Sequence, residues 1–246
     1  MKSQMINITT YLKDFFTSIT LSGKIVGAAT ILLVLALLIL DSQDFTVPQF
    51  EAFVPYNSEL FLKINNFNNR GLDLFFLNFL NGIFVYNNLG TGWLVVPIFI
   101  HLLVSYRAYL VTFFVSFSLQ IIMIKLLKSI FFQARPTLVF DMSEFHAMLP
   151  ETRNFSFPSG DVAFAFSLAV VMWFAVCKNR WLLILYIVYP IIIMWQRIYI
   201  GVHFPIDVLA GAVVGTVCAI IAITIFKQRI EEKDEKNDIG LQPDCS

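Results

Sequence analysis

Apolar residues gather along this chain in long runs separated by short polar stretches, the pattern of helices that cross a hydrocarbon layer rather than of one-faced helices around a soluble core. Six runs approach the roughly 20 residues of helix that such a layer requires. They cover 23–40, 91–106, 108–128, 159–177, 181–200 and 205–226. The pattern predicts an all-α integral membrane protein with six transmembrane helices. No small-residue cleavage pattern follows the first run, GKIVGAATILLVLALLIL, which therefore reads as an uncleaved span.

Between 41 and 90 the pattern changes. In NSELFLKINNFNNRGLDLFFLNFLNG, Leu, Ile and Phe recur at helical spacing around Lys63, Asn65, Asn66, Asn69 and Arg70. This predicts short interfacial helices between the first and second spans. After Phe226 the chain becomes KQRIEEKDEKNDIGLQPDCS, which reads as a solvated charged tail. With no internal repeat, the expected organisation is one six-span membrane domain over 1–226 and a cytoplasmic tail over 227–246.

Composition strengthens the membrane reading: 58% of residues are hydrophobic and 26 are Phe. A formal net charge of zero gives no reason to expect nucleic acid as a partner, and no obligate protein partner is implied. The distribution of charge is more informative. With the N-terminus inside, ten of the 17 Lys and Arg residues fall on inner segments: Lys2, Lys13, Lys24, Arg107, Lys178, Arg180, Lys227, Arg229, Lys233 and Lys236. Both termini are thus expected in the cytoplasm. The cysteines, Cys177, Cys218 and Cys245, lack metal-ligand spacing and are assigned no chemistry.

Several polar residues at outer span ends form a coherent anion site. Lys128 and Arg135, in KSIFFQARP, are seven apart, a spacing that predicts one shared helix face up to Pro136. Ser159 and Gly160 open the fourth span, where backbone N–H groups and the helix dipole favour an oxyanion. Arg197, His203 and Asp207 occupy the junction QRIYIGVHFPID between the last two spans, on the same side of the membrane. His203 and Asp207 are four apart, so Asp207 is expected to reach back to one imidazole nitrogen if Pro205 lies in the first helical turn. The other nitrogen is then available for attack, which points to phosphoryl transfer through a phosphohistidine.

K(x6)RP at Lys128, Arg135 and Pro136, PSG at Pro158 to Gly160, and R(x5)H(x3)D at Arg197, His203 and Asp207 resemble the three signature motifs of the type 2 phosphatidic acid phosphatase superfamily. The resemblance implies six spans, no metal, no cofactor, and a lipid phosphate or diphosphate substrate. It also implies His203 as nucleophile, Asp207 as its orienting partner, and Lys128, Arg135, Ser159, Gly160 and Arg197 as the phosphate cradle. The outward-facing site and the short chain point to a bacterial inner membrane with the site on its periplasmic face, an endoplasmic reticulum membrane with a lumenal site being the alternative. A phosphotransferase using the same site, or a non-catalytic lipid-phosphate binder, are the alternative readings; the retained His203 and Asp207 speak against the binder.

Two positions depart from the family pattern. Gln196 replaces the usual Ser before the motif arginine, a change expected to matter little. Asp161 stands where the family usually carries the histidine that protonates the leaving group. A carboxylate facing three cations holds no proton to donate at neutral pH. Three remedies are open: a leaving group that needs no acid, such as phosphate from a lipid diphosphate; a proton held on Asp161 by a nearby substrate phosphate; or His146, from the outer loop, as the acid. Some members of the family that this chain resembles, acting on lipid A phosphates, also carry Asp at or near this turn, which favours a lipid A or polyprenyl diphosphate substrate. The ordinary role for Asp161 is helix N-capping. Lys125 and Arg153 read as interfacial anchors, and His101 as an interhelical hydrogen-bonding group.

Overall fold

A computed structural model describes residues 54–67, 69–79, 100, 107–141, 143–148, 155–176 and 180–236, all within the unit Phe45–Ser246. The expected first span, nearly all of the second, and Arg153 and His101 lie outside the described residues. Those described form helices and connecting turns, with no strand among them. In chain order the helices are α1 (Val54–Asn65), α2 (Arg70–Phe79), α3 (Arg107–Phe131), α4 (Pro136–Val139), α5 (Gly160–Val176), α6 (Arg180–Tyr199) and α7 (Pro205–Lys236).

The apolar runs form helices because a backbone surrounded by apolar side chains must satisfy its own N–H and C=O groups. Two helical segments, Tyr109–Val139 and Pro205–Phe226, are long and apolar enough to cross a membrane, and Gly160–Ala175 and Ile184–Tyr199 are shorter apolar helices. One helix outruns its apolar stretch and one boundary differs from the sequence expectation. The last helix runs on to Lys236, so the charged run from Lys227 begins as a helical extension of the span. α3 ends at Phe131, because Phe132 takes a left-handed conformation with φ of 47°, a conformation that terminates helices. Pro136 then holds Arg135 extended, with φ −79° and ψ 159°. Lys128 and Arg135 are therefore not on one continuous helix.

α5 lies at the centre, packed against α3, α6 and α7, and is apolar on all sides as a surrounded helix must be. Val162, Ala163, Ala165, Val171 and Met172 are completely buried. Against α3, Phe164 meets Phe113 and Phe117 edge to face, and Ser116 Oγ lies 2.6 Å from Ser167 Oγ.

Against α7 the approach is closer still. A Cβ built on Gly215 would lie 2.0 Å from the carbonyl oxygen of Ala163, and one on Gly211 would lie 2.5 Å from that of Ser159. The Gly211-x3-Gly215 spacing lets the two backbones touch, as small residues do in membrane helix pairs, and the hydropathy pattern does not reveal it. Gly215→Ala must push α5 off α7, at a cost of about 1–3 kcal/mol. A lower melting temperature in detergent is the expected result; an unchanged one contradicts the close crossing. Because α5 begins at Gly160, this crossing also sets where Ser159, Gly160 and Asp161 stand.

Candidate active site

Three segments meet at the same end of this helical core: the C-terminal end of α3 with the turn after it, the stretch Phe155–Gly160 entering α5, and the loop from Ile200 to Phe204 between α6 and α7. Backbone hydrogen bonds hold them together. Ser156 N–H donates to Gln133 O at 2.8 Å, and Ser159 N–H to Asp207 O at 3.0 Å. Two cations bridge the same segments. Lys128 Nζ donates to Phe155 O, and Arg135 Nη1 to Val202 O at 3.0 Å. Broken off α3, Arg135 thus reaches the site from the extended turn.

His203 is buried, and Pro205 opens α7 so that Asp207 falls in its first turn. Asp207 Oδ2 lies 3.4 Å from His203 Nδ1. The same oxygen accepts Phe204 N–H at 2.8 Å and the hydroxyl of Ser156. With Nδ1 turned to Asp207, Nε2 is on the opposite edge of the ring. Burial holds His203 well below its ordinary value of 6.5, the charges of Arg135, Lys128 and Arg197 lower it further, and a hydrogen bond to the Ser156 backbone opposes them. His203 is therefore neutral at pH 7, and all three motif cations act on its ring.

Asp161 does not serve mainly as a helix cap. Its Oδ2 lies 3.3 Å from Arg197 Nη1, with the Asp161 side chain 18% exposed and that of Arg197 2%. Asp161 Oδ1, Ser159 Oγ and Arg197 Nε and Nη2 are buried without a hydrogen-bond partner. Unpaired polar atoms of this kind are rare in a folded interior and point to a polar guest. Two guanidinium donors, a hydroxyl and the amino end of α5 suit the oxygens of a phosphate.

His146 belongs to a different cluster. Its Nε2 lies 3.1 Å from Asp73 Oδ1, an oxygen that also accepts the Tyr199 hydroxyl at 2.6 Å. Asn65, completely buried, fastens this loop: its amide donates to the carbonyls of His146, Ile198 and Tyr199, and its Oδ1 accepts His146 N–H at 2.7 Å.

Ser156 is the site residue that the motif reading omits. Its Oγ contacts both Asp207 Oδ2 and His203 Nδ1, the latter at 3.4 Å. Between Phe155 and Phe157, a lone serine has no periodicity or spacing to mark it. Its one signal is a small polar residue inside an aromatic stretch three positions before Ser159.

Comparison with known proteins places this geometry among relatives. Residues 109–231 match the family model described as PAP2 superfamily. The undecaprenyl-diphosphatase of Sulfolobus acidocaldarius is 27% identical over 178 residues, covering 71% of this chain and 81% of the relative. Among solved structures, Aquifex aeolicus LpxE aligns with a TM-score of 0.59 and 33% identity, covering 72% of this chain and 99% of that one. A transmembrane PAP2 type phosphatidylglycerolphosphate phosphatase from Bacillus subtilis shares the fold at 18% identity, with a TM-score of 0.53 over 82% of this chain and 96% of that one.

Proposed function

Because this chain belongs to the PAP2 superfamily, we propose that it is a membrane lipid phosphatase that removes the terminal phosphate of a lipid diphosphate through a phosphohistidine on His203. The observation that carries the reading is a neutral histidine seated on Asp207 within reach of three cationic charges. In the first step Nε2 attacks the terminal phosphorus and the bond to the bridging oxygen breaks. The lipid monophosphate leaves with that electron pair, while Lys128, Arg135 and Arg197 offset charge on the equatorial oxygens. Water then attacks the phosphohistidine, releasing inorganic phosphate and restoring neutral His203. This chemistry needs no metal, since the cations take the charge-neutralising part. The reading places six spans in a bacterial inner membrane, both termini in the cytoplasm and the site on the periplasmic face, where a headgroup enters while its tails stay in the bilayer.

Asp161 directs the choice of substrate class. Its Oδ2 is engaged with Arg197 Nη1 at 3.3 Å, and no histidine stands at this position to protonate a leaving alkoxide. A phosphate leaving from a diphosphate needs no such proton. The undecaprenyl-diphosphatase relative agrees with that class.

Purified protein in vesicles is to be assayed for phosphate release from undecaprenyl diphosphate, phosphatidylglycerol phosphate, phosphatidic acid and lipid A. The diphosphate is expected to turn over about 10²-fold faster than the monophosphates, the lower end of what general acid catalysis supplies. Asp161→His should raise monophosphate turnover and narrow that ratio. Equal rates for the parent on both classes overturn the leaving-group argument, and no phosphate from any substrate overturns the phosphatase. Phosphate transfer to an added lipid acceptor would show a transferase instead.

A further inference from the structure

Ser156 is completely buried and rigidly placed. Its N–H is tied to Gln133 O, and its two neighbours are packed edge to face: Phe155 on Phe132 with centroids 5.1 Å apart, and Phe157 on Phe131 at 4.9 Å. These three contacts hold one hydroxyl against the His203–Asp207 pair. A serine hydroxyl has one proton and two lone pairs. Its proton goes to Asp207 Oδ2, which as a carboxylate oxygen can only accept. A lone pair of Oγ then faces His203 Nδ1 at 3.4 Å, the same distance as Asp207 Oδ2 from that nitrogen.

We propose that Ser156 is a positioning residue that, with Asp207, keeps the imidazole proton on Nδ1 and so leaves the lone pair on Nε2. This rests on the phosphohistidine reading given above. Both contacts are long for hydrogen bonds in the resting site, so Asp207 Oδ2 and Ser156 Oγ share the pull on the Nδ1 proton, beside the hydrogen bond that the ring makes to the Ser156 backbone. As Nε2 bonds to phosphorus the ring becomes cationic, Nδ1–H becomes a stronger donor, and both acceptors draw in. Ser156 thus acts most strongly after attack has begun, and its effect belongs in kcat rather than in substrate binding.

Ser156→Ala is expected to lower kcat about ten- to hundredfold, the worth of one hydrogen bond to a charged group, with KM within about twofold of the parent. Ser156→Thr, which keeps the hydroxyl, is expected to recover most of that loss. Nitrogen NMR of labelled histidine should find His203 of the parent with its proton on Nδ1 and a mixture of tautomers in Ser156→Ala. The parent spectrum stands even if the alanine variant does not fold. A parent proton on Nε2 overturns the proposal, as does an alanine variant with parent kcat, or Thr and Ala variants equally impaired. His203→Ala separates the two levels. Persistent phosphate release in that variant sinks the phosphohistidine reading, whereas a silent His203→Ala beside a parent-like Ser156→Ala sinks only the role of Ser156.

Discussion

His203→Ala is expected to reduce phosphate release by on the order of 10⁴- to 10⁶-fold, the scale seen when a nucleophile is deleted from an otherwise intact site. The same variant should form no acid-labile phosphoenzyme when the parent, quenched during turnover of a lipid diphosphate, does. The fold should survive, because the imidazole sits in a loop between α6 and α7 and the surrounding hydrogen bonds, Ser159 N–H to Asp207 O and Arg135 Nη1 to Val202 O, do not pass through it. The pH profile of the parent gives an independent check. Burial and the three cations hold His203 well below its ordinary 6.5, so the nucleophilic neutral form persists into mildly acidic solution and is lost only as pH falls through that lowered value. The acid limb of kcat/KM, which reports the free enzyme, should lie below pH 6.5. A limb at or above that value, or appreciable turnover by His203→Ala, contradicts the assignment.

The second large effect is expected at Arg197. Arg197→Ala removes two buried donors that have no partner in the protein and leaves Asp161 without its ion-pair partner. Removing one member of a buried pair costs about 3–5 kcal/mol of stability. Loss of a charge-stabilising group at the reacting phosphorus adds on the order of 10²- to 10³-fold in kcat. The two losses separate in the double variant Arg197→Ala with Asp161→Ala. Thermal stability should largely return, since no charge is left stranded, while activity should not. Arg197→Lys keeps a positive charge without the planar fork and should fall between parent and alanine. If the double variant recovers activity with stability, Arg197 acts only by neutralising Asp161.

Much of this is legible in the chain alone. Long apolar runs predict membrane helices because a hydrocarbon layer leaves the backbone no other way to bond. The segment after Asp41 contains α1 and α2, as its helical periodicity predicts. The four-residue step from His203 to Asp207 is a local constraint, so Pro205 at the start of α7 was enough to bring the two side chains together. The step from Lys128 to Arg135 failed as a helix argument because Phe132 breaks α3, and the left-handed turn there has no glycine to announce it.

What the chain alone determined, then, is the set of groups: three cations, a histidine with its carboxylate, a helix start, and an aspartate where an acid was expected. Tertiary structure decided how they are joined. Asp161 meets Arg197 across 36 residues of sequence, and Ser156 meets Asp207 across 51. Neither separation has a period: the first contact depends on how α5 meets α6, and the second on how closely the entry to α5 lies on α7, where Gly211 and Gly215 lack side chains. Hydropathy records which segments leave water, but close packing between segments already out of water is a matter of shape, and shape appears only when the helices meet.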